Sequence, residues 1–343
     1  MNAAEPWGET DPPASCPVCH SIRISFFARG RDRLFGLVPG PFRLLECRSC
    51  ACVFQSPAPD AAAIPRFYPD AYWWSDATPA AGLARLLHRL ERSYREFVTM
   101  GHVRFVRQCP PAGGRRSLLD IGCGSGTFIH LASQRGFDAH GMDISERAVR
   151  AAREAYGLPV EQGDIGSPAF PERKFDVVTM FHVLEHLADP GRAIDYAASL
   201  LDGDGALILQ VPNVRSLQAR LFRSRWYGLD VPRHIVNFAP RSLELLLSGR
   251  GFRIVRRSRF SLRDDPPALV SSLVPRLDPI GRRGRGRGAP WREAAAEAVY
   301  FALVTGALPL ALAEGLAGRG ATLMVEARRS QAPASVTEKR PLI

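Results

Sequence analysis

The sequence predicts an α/β protein, a doubly wound and mostly parallel sheet preceded by a small cysteine-bearing unit. Three observations carry this. Apolar strand-like runs alternate with helical patterns from Ser117 to Ser261, and such alternation places helices on both faces of a parallel sheet. The first of those runs enters a glycine-rich loop that opens a helix. Four of the seven cysteines form two C-x-x-C pairs, Cys16/Cys19 and Cys47/Cys50, near the start of the chain. At roughly 100–200 residues per domain, 343 residues leave room for both units. With 46% hydrophobic and 23% charged residues, a disordered or fibrous chain is excluded.

The elements follow in chain order. Met1 to Pro13 has no basic region leading into an apolar stretch, so it does not read as a signal peptide. The expectation is a reducing, cytoplasmic compartment, where spaced cysteines are metal ligands rather than disulfides. Two C-x-x-C knuckles on two hairpins deliver four thiolates tetrahedrally, which is the closed structural zinc geometry. Residues 14–56 therefore read as a zinc ribbon with Cys16, Cys19, Cys47 and Cys50 as ligands and Cys52 as a packed thiol. Residues 57–82, rich in Pro, Ala and aromatics, read as a linker and docking segment. From Leu83 to Gln108, Leu83, Leu86, Leu87, Leu90, Tyr94, Phe97 and Val98 recur at helical spacing.

The core spans 83–261. Its strands are Ser117–Ile121, Asp138–Met142, Val160–Gln162, Phe175–Met180, Ala206–Val211 and Phe252–Phe260. Its helices are Thr127–Arg135, Ser145–Tyr156, Pro190–Leu201 (ended by Gly203 and Gly205) and Arg241–Ser248. Residues 262–320 form a basic and apolar insertion, 321–328 a final strand, and 329–343 a disordered tail.

The segment Leu118 to Phe128, LLDIGCGSGTF, is the most informative. Glycines after a strand allow a tight turn and close approach of backbone to ligand. Asp120, just before the loop, suits a cationic or amine-bearing ligand better than a pyrophosphate. Asp143 ends the second strand, where an acid can bind both ribose hydroxyls. Asp164 follows the third strand, placed for an adenine amino group. Each acid could alone be a helix cap, but all three fall at the carboxyl ends of strands, where open α/β sheets bind ligands.

These motifs, with GMDIS (141–145), QGDI (162–165), FDVVTMFHVLEHLADP (175–190) and LLDGDGALILQVPN (200–213), resemble the class I S-adenosylmethionine (SAM)-dependent methyltransferases. The resemblance spans about residues 115–260. It implies a Rossmann-like seven-stranded sheet, mostly parallel with the last strand antiparallel, and Ala321–Ala327 can be that strand. It implies a SAM pocket built from Asp120, Gly122, Cys123, Gly124, Gly126, Asp143, Ile144, Asp164, Ile165, Phe181 and His182. Asp120, Gly122 and Gly124 would contact the methionine part, Asp143 the ribose, Asp164 and Ile165 the adenine, and Phe181 and His182 the sulfonium side.

Methyl transfer to a hydroxyl needs a base. Candidates cluster after the fourth strand and in 226–238: His182, Glu185, His186, Tyr227 and His234. The catalytic set reads as His234 first, then His182, with Tyr227 beside them. Glu185 and His186 equally suit a helix cap or a support for the cofactor loop. The segment 226–238 resembles the P-x-H-x-x-x-F loop of methyltransferases acting on glycans, sugars and small molecules. No N/D-P-P-Y/F/W tetrapeptide follows the fourth strand and no Pro-Cys dipeptide occurs, which disfavours amino-methylating and cytosine C5 chemistry. A zinc ribbon ahead of a SAM domain resembles two groups, a sugar-modifying branch and a ribosomal RNA guanine group. The aromatics Phe67, Tyr68, Tyr72, Trp73 and Trp74 after the ribbon favour the first. A SAM-binding module without turnover is a third reading.

The formal charge is +11, with only Lys174 and Lys339 as lysines. Residues 250–292 hold 12 arginines and 3 acids, so +9 of that charge sits in this one stretch, around the start of the insertion. The core is nearly neutral, and nucleic acid is disfavoured as a partner. The glycine–arginine run 281–288 reads as a flexible loop. Ala298 to Ala313 carries no charge but falls short of the ~20 residues of a membrane-spanning helix, and Pro309 should interrupt it. Residues 281–313 thus read either as a peripheral anchor on anionic membrane or as a buried helix covering the sheet. The acceptor's identity and the oligomeric state are not legible.

Overall fold

The computed structural model describes residues 15–60, 63–68, 82–109, 116–166, 169–170, 173–284 and 289–330. The ribbon contributes β1 (Ile24–Gly30), β2 (Phe42–Cys47) and β3 (Val53–Gln55). After α1 (Gly82–Arg107) the alternating core follows: β4 (Ser117–Ile121), α2 (Thr127–Ser133), β5 (Asp138–Asp143), α3 (Glu146–Tyr156), β6 (Val160–Gln162), β7 (Phe175–Phe181), α4 (Pro190–Leu200), β8 (Leu201–Pro212), α5 (Leu217–Phe222), β9 (Val236–Asn237), α6 (Pro240–Ser248) and β10 (Phe252–Ser258). The insertion supplies α7 (Asp265–Leu273), α8 (Pro279–Gly284) and α9 (Pro290–Leu316), and β11 (Thr322–Arg329) closes the sheet.

Seven strands lie in the order β10-β11-β8-β7-β4-β5-β6. β4 to β8 pair in parallel, and β11 runs antiparallel to both β8 and β10. The expected topology is therefore observed. Every residue of β4 and β7 is buried, as central strands covered on both faces must be. One apolar layer joins the sheet to α4 and α6 through Ile194, Ala197, Leu243 and Leu246. The opposite layer packs α1, α2 and α3 through Val103, Val106, Ile129, Val149 and Ala152.

The second sheet, β1-β2-β3-β9, is not confined to the ribbon. β3 pairs with β9, so Val236 and Asn237 of the methyltransferase core form its fourth strand. A strand of two residues is beneath any periodicity signal, which is why the sequence hides this junction.

Several local expectations are corrected. Gly203 and Gly205 lie inside β8 rather than after a helix. Leu201 faces Phe175 and Ala206 faces Val177, so the extra residues form a bulge that the glycines accommodate. Pro309 sits within a continuous α9. A proline removes one bond to the preceding turn, and the helix runs on past it while packing on α7. The arginine run is partly ordered: Arg282 lies on α8 and pairs with Glu293 at 2.7 Å and with Glu297 on α9. Residues 285–288, Tyr72, Trp73, Trp74 and the tail 331–343 lie outside the described residues.

The insertion departs most from expectation. Trp291–Leu316 is long and apolar enough to cross a membrane by length and composition, and only 17% of its most apolar window is buried. It is not a buried helix over the sheet. Tyr300, Val304 and Ala311 face the protein, while Leu303, Leu310, Leu312 and Leu316 are exposed.

Candidate functional site

The glycine loop follows β4 directly. Gly122, Gly124 and Gly126 all have positive φ, at 76°, 53° and 77°, a region that residues with a Cβ rarely adopt. A Cβ on Gly122 would stand 2.5 Å from Val183, whereas one on Gly124 would meet nothing within 4 Å. The loop thus leaves open space over its middle glycine, a cradle that side chains would fill. Asp143 braces it, accepting from Gly124 N at 2.9 Å and from Ser145 N at 2.9 Å. Asp120 is buried and accepts from Thr179 Oγ1 at 2.6 Å. Burial raises its carboxyl to about 7, despite the Thr179 bond.

The structure places the other expected pocket residues less uniformly. Asp164 is exposed and accepts from Gly166 N at 2.6 Å. Ile144 is exposed beside Asp143. Cys123 is buried, with its sulfur held against Gly141, where a Cβ would come within 2.7 Å of it. Only its backbone can face a ligand. The Phe181 ring turns into the α1–α2 layer, against His102 and Phe128. Together these residues could hold SAM: an open glycine cradle with one carboxylate before it and others after the next two strands.

Beyond β7 the chain enters a second cluster. His182 has φ 57°, a strained left-handed geometry for a residue with a Cβ. Its Nδ1 lies 3.0 Å from Glu185 Oε1 and its Nε2 3.4 Å from Asp264 Oδ1. Burial alone would lower this imidazole, but Asp264 and Glu185 raise it to about 10. Asp264, despite burial, is held well below the usual carboxylate range by His182 and Arg263. Gln210 Nε2 donates to Asp264 Oδ2 at 2.6 Å, and His102 Nε2 meets Gln210 Oε1 at 2.7 Å.

Glu185, His186 and His234 converge next to it. One ligand atom from each lies within 4.8 Å of the others. The His186 and His234 rings meet edge to face with centroids 4.7 Å apart. His234 Nδ1 lies 2.8 Å from the Gly228 carbonyl, and His186 Nδ1 lies 3.1 Å from the Arg233 carbonyl and 3.0 Å from the Tyr68 hydroxyl. Burial and the neighbouring His234 lower His186 to about 4, so it is neutral. Tyr227 stands apart from this group. Its backbone N–H donates to Ser272 Oγ, and it lines a small neighbouring cleft of about 30 Å³ with Arg31, Arg33 and Trp226.

Two groups central to this region were not read from the sequence. Asp264 carried one available signal, an acid inside an arginine-rich run. Arg233 carried none. It is fully buried, pairing with Asp32 of the ribbon at 2.8 Å and Asp230 at 2.6 Å, and donating to the Phe67 carbonyl at 3.0 Å. It thereby ties ribbon, linker and the 226–238 loop together.

In the ribbon, Cys16 and Cys50 sulfurs lie 3.5 Å apart and those of Cys19 and Cys47 3.6 Å apart. All four fall within 4.8 Å of one another. Cys52 stays outside this group, buried beside the Val53 carbonyl. Tetrahedral thiolates around one ion have this compactness.

A methyltransferase-domain family matches residues 80–257, over half of the chain. Among curated proteins, the chain is similar to the ubiquinone biosynthesis O-methyltransferase of Azoarcus sp., 29% identical over 53% of this chain and 73% of that protein. The enzyme of the same name from Alkalilimnicola ehrlichii is 34% identical over 34% of this chain and half of its own length. Two solved structures are similar to the chain. A SAM-dependent methyltransferase from Archaeoglobus fulgidus is 19% identical, with a TM-score of 0.45 over 72% of this chain and all of that one. The magnesium protoporphyrin IX methyltransferase of Synechocystis with bound S-adenosylhomocysteine is 22% identical, with a TM-score of 0.40 over 52% of this chain and 82% of that one. The family match and the strand order agree, and the chain belongs to the class I SAM-dependent methyltransferases.

Proposed function

We propose that the protein methylates a hydroxyl of a small-molecule acceptor, a sugar or glycan intermediate. One observation carries the reading: the histidine–carboxylate cluster at the end of β7 adjoins the residues expected around the sulfonium. SAM supplies an electrophilic methyl group. The chain's part is to hold Asp120, Asp143 and the glycine cradle against the cofactor, Asp164 against its base, and the acceptor oxygen beside His234. His234 is favoured over His182 as the group that activates that oxygen, because the Gly228 contact orients its ring and leaves Nε2 free. His182, held between two carboxylates, is better suited to position the cluster. The names of the similar O-methyltransferases support an oxygen acceptor. The four ribbon cysteines are proposed to hold a structural zinc ion.

The test is a panel assay that follows S-adenosylhomocysteine release with nucleotide-linked sugars, lipid-linked glycans and polyphenols. Turnover of phosphate-bearing sugars is expected, and turnover of polyphenols alone would refute the sugar assignment. His234→Ala should lower turnover by about 10²-fold or more while SAM affinity is kept. The exposed apolar side of α9 and the arginines before it support peripheral contact with anionic membrane, consistent with a lipid-linked acceptor. Flotation with anionic liposomes at low salt should bring the protein up, and its absence from the floating fraction would end this part of the reading.

A further inference from the structure

We propose that Glu185, His186 and His234 bind one divalent transition-metal ion, distinct from the ion of the ribbon. The argument starts from Glu185. Its side chain is fully buried and its two oxygens have different fates. Oε1 is met by His182, while Oε2 has no hydrogen-bond partner among the described residues. A buried carboxylate oxygen without a partner is costly, and the two groups beside it are imidazoles.

The histidines are prepared in the way metal-binding histidines are. Each has its Nδ1 against a backbone carbonyl, Gly228 for His234 and Arg233 for His186. That contact fixes the proton on Nδ1 and leaves Nε2 as the lone pair. The Tyr68 hydroxyl gives His186 a further anchor. The backbone holds the two contributing segments in place, since Ile235 N donates to the Glu185 carbonyl at 2.7 Å and β3 pairs with β9 just beyond. The cluster is therefore assembled before any ion arrives.

The donor set selects the ligand. Two imidazoles and one carboxylate suit Zn²⁺, Mn²⁺, Fe²⁺ or Co²⁺ and leave coordination positions open. Mg²⁺ and Ca²⁺ prefer oxygen-rich sites. A cation would also give the orphaned Oε2 its missing partner. This inference rests on the methyl-transfer reading only for its use. Adjacent acceptor oxygens would occupy the open positions, and their hydroxyl would lose its proton to solvent more readily on the ion. His234 would then act as a ligand rather than as a free base.

The full-length protein, with its ribbon loaded with zinc, is titrated with Mn²⁺ and followed by electron paramagnetic resonance and calorimetry. Mn²⁺ is chosen because thiolates bind it poorly. One equivalent should bind. Glu185→Gln, His186→Gln and His234→Gln should each weaken that binding by at least about 10-fold. SAM affinity, measured on the same samples, reports that each variant is folded. A wild-type protein that binds SAM but no Mn²⁺, and no Co²⁺ beyond the ribbon's share, would overturn the site. So would histidine variants that keep full Mn²⁺ affinity. An ion that binds as expected to a protein that methylates no hydroxyl would leave the site standing and defeat the O-methylation reading. Methylation unaffected by metal removal would do the reverse.

Discussion

The proposed cofactor end and the proposed acceptor end of this molecule lie side by side at the carboxyl edge of one sheet, yet they are built differently. At the cofactor end, Asp120, the three glycines, Asp143 and Asp164 fall between residues 120 and 164; Asp143 and Asp164 are fixed by backbone N–H groups of the loops beside them, and only Asp120 reaches to a distant strand, at Thr179. At the acceptor end, Asp32, Tyr68, Glu185, Arg233 and Asp264 come from five distant segments and are fixed by one another. The first end is stabilised by local backbone geometry, the second by buried charge pairing. Damage should therefore remain local in the first case and spread in the second.

The largest effect should come from Arg233. Arg233→Met strands Asp32 and Asp230 in a buried setting, and losing one partner of a buried pair costs about 3–5 kcal/mol. Urea unfolding should show that loss. A change under about 1 kcal/mol would mean that the acceptor end is not held by charge. Chelation comes next. If the ribbon cysteines hold the proposed zinc ion, its removal should loosen the 226–238 loop through β3 and β9, abolishing turnover while SAM still binds. Parallel loss of SAM binding would show that the two ends are not separable.

Gly122→Ala tests the cofactor end. A positive φ and a 2.5 Å approach to Val183 impose about 1–3 kcal/mol of strain on the folded loop, which should lower stability to urea by that amount or, where the loop shifts to relieve it, weaken SAM binding by roughly 10- to 100-fold. The His182–Asp264 pair gives a pH signature. His182 is raised from 6.5 to about 10, so its contribution is complete below pH 6.5 and is lost as pH rises toward 10. Asp264 is lowered, so its contribution is present above its ordinary value of 3.8 and is lost as pH falls through the depressed value. Asp264→Asn should flatten the stability profile on the alkaline side, and an unchanged slope would remove the pair from the account. Arg150→Gln, on the exposed pair to Glu146 at 2.9 Å, should change stability by less than about 1 kcal/mol. It is the surface contrast to Arg233.

This contrast also explains what the sequence discloses. Sheet topology, glycine cradle and cysteine quartet depend on spacing within a segment or on a repeated pattern, and these are readable. Gly203 and Gly205 mislead because a bulge and a helix end use the same residue. Asp264, Arg233 and the pairing of Val53 with Asn237 depend on which distant segments meet, and no local pattern encodes that. The exposure of α9 is of the same kind. Its composition suits a core or a lipid surface equally, and only the position of α7 leaves most of it uncovered.

The pairing of β3 with β9 has a practical consequence for anyone shortening the chain. Removing the ribbon would not yield a clean catalytic domain. It would expose the edge of Val236 and Asn237 and leave a buried arginine without Asp32. An unprotected strand edge is a template for self-association. A truncated protein should thus precipitate or pair with its own copies, and adding the ribbon back as a separate polypeptide is the natural way to rescue it.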